Sequence, residues 1–168
     1  VAIQSAFGNI NPNAIVHPCI EYGLLRNWDG KTPFEKPPLF YQGVDDFTAD
    51  LISGLSDEIL QIKHAIQQRF PTIDLELVRP LQDMFEAAYY DDIADHSSLR
   101  TMFASNKGYD GLTMPCTDDK NGGYLPLFEH RYFSEDLPCG LLVEKGIAQL
   151  AGVDTPIIDK VICWCQDM

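Results

Sequence analysis

Apolar residues recur at three- and four-residue spacing between positions 46 and 70, with polar and charged residues in between. This is the period of an amphipathic helix, one face of which is buried against the rest of the domain. The apolar positions are Phe47, Leu51, Ile52, Leu55, Ile59, Ile62, Ile66 and Phe70. Pro71 follows directly, and a proline cannot continue a helix. The pattern therefore predicts one long helix over 46–70.

Shorter periodic segments predict further helices over 81–90 and 97–105. Two other segments, 27–43 and 106–123, are rich in proline and glycine and are predicted to be irregular. Signals for β-strands are weak along the whole chain. The chain is therefore expected to form an all-α, or mainly α, domain.

The last third of the sequence predicts two more helices. One covers 134–150, with Ser134 as its N-cap and Gly152 just beyond its end. The other begins at the pair Thr155-Pro156, a capping residue followed by a proline at the first helical position, and runs to about Cys165.

Length and charge exclude several classes of protein. The 168 residues have a mass of 18.9 kDa, which suits a single domain over 1–168. The net charge is −13, so a phosphate backbone would be repelled and nucleic acid is not an expected partner. No segment approaches the roughly 18 uncharged apolar residues of a membrane span. The sequence begins with Val1, and we expect it to lie inside a longer coding sequence.

The five cysteines form an odd number and have no Cys-x-x-Cys spacing. A disulfide framework is not expected, and a reducing cytoplasm fits better. The pair at Cys163 and Cys165 lacks the second ligand pair of a zinc site, so no metal is predicted.

A first candidate site lies in the run from Asn13 to Pro18, which contains His17. Asn11 and Pro12 can start a short helix, on which Asn13 and His17 share a face. Pro18 biases His17 away from helical geometry, so we expect the helical turn to end there and the imidazole to project into a cleft. The alternative is a structural histidine bonded to a backbone carbonyl.

A second candidate lies at Arg131 and Asp136. An imidazole can move a proton near neutral pH, a carboxylate can orient the ring, and a guanidinium can bind another carboxylate. This set suits the reduction of a 2-oxo acid or of an imine made from one. The alternatives are a helix-dipole role for Asp136 and a surface ion pair for Arg131, and Glu135 competes for the acidic role.

These segments resemble the C-terminal domain of the octopine dehydrogenase family, the opine dehydrogenases. The resemblance is carried by Asn13-x-x-x-His17-Pro18, by Arg131-Tyr-Phe-Ser-Glu-Asp136 and by the stretch over 146–159. It implies an NAD(P)-linked oxidoreductase that condenses an amino acid with a 2-oxo acid, commonly pyruvate, and reduces the imine. The expected fold is thus the helical domain of a two-domain NAD(P)-dependent dehydrogenase.

The resemblance also implies roles for residues. His17 and Asp136 are the expected catalytic pair, and Arg131 the group that binds the substrate carboxylate. Asn13 and Phe85 are candidate substrate-binding residues, although aromatic residues at helical spacing, such as Phe85, more often belong to a core. A structure should place the His17 ring within about 5 Å of the Asp136 carboxylate, with Arg131 facing the same cleft.

The cofactor is not expected to bind mainly to this chain. Dinucleotide folds hold the pyrophosphate on a Gly-x-Gly-x-x-Gly turn, and no such run occurs here. The expected partners are an N-terminal Rossmann domain of the same protein, which would bind NAD or NADP, and the two substrates. Two rival interpretations stay open: the helical domain of a 2-hydroxyacid or polyol-phosphate dehydrogenase, and a non-catalytic ligand-binding or assembly domain.

Overall fold

The computed structural model describes residues 11–168, and its centre is helix α1 (Asn13–Leu25). The Asn11 side chain accepts a hydrogen bond from the backbone N–H of Asn13 at 3.1 Å. Nearly every side chain of α1 is buried. The apolar ones are Ala14, Ile15, Val16, Cys19, Ile20 and Leu25. A helix that is apolar on all sides belongs in the interior of a domain.

The predicted end of this helix at His17 is wrong, because Pro18 lies inside α1 and the helix continues to Leu25. An internal proline costs a helix about 3 kcal/mol. Burial of the surrounding apolar side chains offsets that cost, since tertiary packing supplies most of the stability of protein helices.

The predicted long helix is confirmed as α2 (Asp46–Arg69). The Asp45 side chain accepts a hydrogen bond from the Thr48 N–H at 3.0 Å and so caps its start. The apolar face of α2 packs on α1. At Gly23 of α1 the two helices come so close that a Cβ would collide with the Thr48 side chain.

The next predicted helices are also confirmed, as α3 (Leu81–Tyr89) and α4 (Leu99–Ser105). A short 3₁₀ turn (Lys107–Tyr109) follows, and then a two-stranded antiparallel hairpin of β1 (Cys116–Asp118) and β2 (Tyr124–Pro126). The 3₁₀ turn and strand β1 are short regular elements within the segment 106–123, which was predicted to be irregular.

The predicted irregular segment between α1 and α2 is confirmed, yet it is well anchored. Its Phe34 pairs with Tyr124 of β2 through backbone hydrogen bonds of 2.8 and 2.9 Å. The N–H of Phe40 donates to the Leu112 carbonyl at 2.8 Å. The following residue, Tyr41, is therefore held deep in the domain rather than on a free loop.

The predicted helix over 134–150 is instead three pieces: α5 (Arg131–Ser134), a π-helical turn (Leu137–Leu141) and α6 (Leu142–Ala151). Ser134 is not an N-cap, because its hydroxyl donates back to the carbonyls of Glu129 and His130 at 3.2 Å. Gly152 ends α6 in the left-handed region, with φ of 72°, as predicted.

The last helix is α7 (Pro156–Asp167), close to its predicted bounds. Thr155 makes no side-chain cap. The buried Glu58 of α2 does so instead, accepting hydrogen bonds from the N–H groups of Ile157 and Ile158 at 2.8 and 2.9 Å. The long-range cap fixes α7 against α2.

The all-α class is confirmed. Within residues 11–168, none of the helices has both the length and the apolar character needed to cross a bilayer. All five cysteines are free.

Candidate active site

His17 and Asp136, 119 residues apart in the sequence, lie in direct contact in the interior. The Nδ1 atom of His17 is 2.7 Å from Oδ2 of Asp136, and the two residues are only 2% and 6% exposed. The predicted proximity of the two groups is therefore confirmed. A carboxylate accepts only, so Nδ1 carries the proton of this hydrogen bond.

The pair meets because two backbone segments touch. A Cβ on Gly140, in the π-helical turn, would collide with the Cβ of Ala14 in the first turn of α1. Leu141 beside it is fully buried. The contact holds the residue before the π-helical turn, Asp136, against the turn of α1 that carries His17.

The other ring nitrogen of His17 also has a partner. Nε2 is 2.8 Å from the hydroxyl oxygen of Tyr41, which reaches the site from the irregular segment between α1 and α2. With Nδ1 protonated, a neutral ring accepts at Nε2, so the Tyr41 O–H donates to it. Both nitrogens of the imidazole are thereby engaged.

Aromatic rings enclose the imidazole on its faces and edge. The Tyr132 ring lies over it at a centroid distance of 3.8 Å and an interplanar angle of 34°. Phe40 meets it edge-on at 5.7 Å. The expectation that His17 projects into an open cleft is therefore wrong for this domain.

Burial sets the protonation state of the ring. It lowers the pKa of His17 below the ordinary value, because a charged ring loses its hydration in the interior. The hydrogen bond and the charge of Asp136 act in the opposite direction, and the charges of Arg131 and His130 lower the pKa further. Near neutral pH the ring is a neutral base paired with a carboxylate.

Arg131 is exposed and begins α5, close enough for its charge to act on His17. Over residues 11–168 no carboxylate lies within ion-pair distance of its guanidinium. The surface ion pair considered as the alternative role for Arg131 is thus not found there. Glu135 is exposed, whereas Asp136 makes the bond to His17.

The other two candidate substrate-binding residues lie apart from each other. Asn13 is half-buried in the first turn of α1, one turn before His17. Phe85 is 6% exposed and packs against Phe103 at 4.9 Å between ring centroids. Phe85 thus packs in the core, the alternative considered for it in the sequence analysis, and its role in substrate binding stays a prediction.

Phe40, Tyr41 and Tyr132 surround His17 but were not found by sequence reasoning. A signal was present, because Phe40 and Tyr41 are adjacent aromatic residues inside a segment rich in proline and glycine. Large aromatic side chains are costly to leave in water, so such a pair in an irregular segment indicates an anchored segment.

The fold and the buried pair define a helical domain with an acid–base group at its centre. Residues 3–168 match the family model described as the alpha-helical domain of NAD/NADP octopine/nopaline dehydrogenase. The chain belongs to this family.

Similar proteins cover nearly the whole chain. It is 44% identical to tauropine dehydrogenase of Arabella iricolor over 156 residues, which are 93% of the chain and 39% of that protein. It is 40% identical to octopine dehydrogenase of Pecten maximus over 154 residues, 92% of the chain and 38% of that protein. The chain thus spans less than two fifths of the length of these relatives.

The solved structures agree with the sequence relatives. A structure of octopine dehydrogenase with NADH and L-arginine superposes with a TM-score of 0.86 at 40% identity, covering 92% of this chain and 38% of that one. A complex with NADH and agmatine gives the same TM-score of 0.86 at 39% identity, with the same coverage of 92% and 38%.

Proposed function

We propose that this chain is the substrate-binding and catalytic half of an opine dehydrogenase, which joins an L-amino acid to a 2-oxo acid such as pyruvate by reductive condensation with NAD(P)H. The observation that supports this most directly is the buried His17–Asp136 pair, 2.7 Å apart. The relatives named above are tauropine and octopine dehydrogenases.

In the proposed reaction His17 moves the protons. An amino acid attacks a carbonyl only after its ammonium group has lost a proton, and a neutral imidazole is a suitable acceptor. The carbinolamine then loses water after its hydroxyl gains a proton, which an imidazolium can donate. Asp136 keeps the ring in one tautomer and stabilises the imidazolium between these two steps.

Arg131 is the proposed anchor of the 2-oxo acid. Its planar guanidinium can bind a carboxylate through two parallel hydrogen bonds, and no acidic residue described in the fold already occupies it. Asn13, one helical turn before His17, is the proposed source of a further polar contact to substrate. Bound in this way, the carbonyl carbon is fixed beside the proton-transfer group.

Residues 11–168 do not fit a nicotinamide nucleotide by themselves. Their two strands, of three residues each, form a hairpin, and neither strand leads through a glycine-rich turn into a helix. We infer that an N-terminal Rossmann domain of the same protein binds NAD or NADP, which supplies the hydride. No metal is part of the proposal. The five free cysteines favour a reducing compartment, and we propose the cytoplasm.

A chimaera tests the proposed function. This chain replaces the helical domain of Pecten maximus octopine dehydrogenase, and NADH oxidation is measured with amino acids plus pyruvate and with pyruvate alone. Oxidation that requires both substrates is expected. Oxidation with pyruvate alone would indicate a 2-hydroxyacid dehydrogenase, and a folded chimaera inactive with every amino acid would favour a non-catalytic domain.

A further inference from the structure

A hydrogen bond joins the Tyr41 hydroxyl to the Nε2 atom of the His17 ring. Among the described residues the Tyr41 hydroxyl is the one hydrogen-bond partner of Nε2, at 2.8 Å. His17 is 2% exposed and Tyr41 9%, so bulk water cannot readily replace this contact. A buried nitrogen left without a hydrogen-bond partner destabilises the folded state.

The Tyr41 ring is held firmly by its neighbours. It stacks on Tyr109 at 4.0 Å and 15°, and Phe40 meets it edge-on at 5.0 Å. Its backbone carbonyl accepts from the Val44 N–H at 3.2 Å. Burial and nearby phenol groups also raise the pKa of Tyr41, so its hydroxyl stays protonated. The Tyr41 hydroxyl is thus fixed in place, and the Tyr132 hydroxyl lies beside it.

We propose that Tyr41 is a positioning residue of the active site, whose hydroxyl orients the His17 ring and, while no substrate is bound, serves as the hydrogen-bond partner of Nε2 in both protonation states. The hydroxyl donates to the lone pair of the neutral ring and accepts from the N–H of the imidazolium, because a hydroxyl can do either. Its importance for turnover rests on the proposed function, whereas its effect on the ring does not.

Loss of the Tyr41 hydroxyl should lower the pKa of His17. A hydrogen bond to a charged group is roughly twice as strong as one between neutral groups. Loss of the hydroxyl therefore harms the imidazolium more than the neutral ring. The charged and titratable groups facing His17 stay unchanged. They are Asp136 before the π-helical turn and His130, Arg131 and Tyr132 at α5, while Glu21, one turn on along α1, acts on Tyr132.

NMR titration of the His17 ring in the 168-residue chain tests the inference. Tyr41→Phe should lower the pKa of His17 by about half a unit to one unit. Tyr109→Phe is the matched control, because it removes a hydroxyl from the same aromatic cluster without touching His17, and it should leave the titration unchanged. An unchanged pKa in a folded Tyr41→Phe chain would overturn the inference.

A second measurement needs no substitution. The ¹⁵N shifts of the neutral His17 ring in the unaltered chain should show a protonated Nδ1 and a hydrogen-bonded, unprotonated Nε2. The opposite tautomer would overturn the inference even if Tyr41→Phe failed to fold.

Enzyme kinetics of the chimaera test whether Tyr41 matters for turnover. In the chimaera, Tyr41→Phe should lower kcat about tenfold, shift the acidic limb of the pH–rate profile to lower pH and leave the KM for pyruvate nearly unchanged. A kcat and pH profile matching those of Tyr109→Phe would refute a role in turnover. A chimaera inactive before any substitution would count against the proposed function, whereas the NMR result would still decide the role of Tyr41.

Discussion

The imidazole of His17 is as buried as the apolar side chains around it, which changes what its replacement should do. A histidine and an acid of suitable type could be selected from sequence, because their chemistry is a property of the residues. The burial of these two residues could not be predicted from the sequence. It depends on Phe40 and Tyr41, which belong to an irregular segment whose path is not determined by any local pattern. The expectation of an open cleft failed for that reason.

Replacement of His17 should therefore affect both chemistry and stability. His17→Asn should lower turnover of the chimaera by about 10²–10⁴ fold, the usual range for a positioned acid–base group. It should also destabilise the 168-residue chain by about 1–3 kcal/mol, because Asp136 and Tyr41 lose a buried partner. Enzyme assays and thermal unfolding measure the two effects. His64→Asn, at an exposed site on α2, should change neither.

Replacement of Arg131 should change substrate binding but not stability, since Arg131 is exposed and no carboxylate among residues 11–168 pairs with it. Arg131→Lys keeps the charge but loses the planar fork, so the KM for pyruvate in the chimaera should rise about tenfold or more. The melting temperature should hardly move. Arg100→Lys is the control, because Arg100 is also exposed and binds Asp46 at 3.1 Å. Equal kinetics for the two variants would remove Arg131 from the site.

The buried carboxyl group of Glu21 should make the stability of the chain depend on pH. Glu21 is 2% exposed, and one of its carboxyl oxygens has no hydrogen-bond partner within the described part of the chain. Burial raises the pKa of Glu21 to about 8. Between the unfolded pKa, about 4.3, and the folded value the native state binds more protons, so stability falls as pH rises through this window. Glu21→Gln should flatten this slope and raise the melting temperature at pH 8. The exposed Glu76→Gln should leave the slope unchanged.

Helices with a strong periodic pattern of apolar residues were predictable from the sequence. Features that depend on contacts between distant parts of the chain were not. Helix α2 shows this well, because its apolar face and its capping acid are local features. The cap of α7 comes from Glu58, about a hundred residues earlier, and Pro18 stays helical because α1 is surrounded by other elements. The π-helical turn places Asp136 at the site, and its wide geometry has no periodic signal.

The contact between α1 and the π-helical turn can be tested directly. Gly140→Ala should destabilise the chain by about 1–3 kcal/mol, because the added Cβ collides with Ala14. It should also weaken the His17–Asp136 bond, visible as a changed NMR shift of Nδ1. Ala14→Gly on the same chain should restore that shift by restoring the space. Gly146→Ala is the control, because no atom lies near its added Cβ, and it should stabilise α6 slightly.

At the scale of the whole molecule, residues 11–168 enclose a His–Asp pair, and none of their strands leads through a glycine-rich turn into a helix. The matches cover 92–93% of this chain and only 38–39% of the relatives. Family membership and the mainly helical class could be inferred from spaced motifs, because those motifs are local.

The proposed division between an N-terminal nucleotide-binding domain and this chain predicts how weakly the isolated chain binds NADH. Residues 11–168 provide no glycine-rich turn at a helix N-terminus to receive a pyrophosphate, and the net charge of −13 opposes a phosphate ligand. Calorimetric titration of the 168-residue chain with NADH should therefore give a Kd of about 1 mM or weaker. The chimaera with the nucleotide-binding portion of Pecten maximus octopine dehydrogenase should bind NADH far more tightly and gain activity. Micromolar binding by the isolated chain would reveal a nucleotide site within it and refute the proposed division.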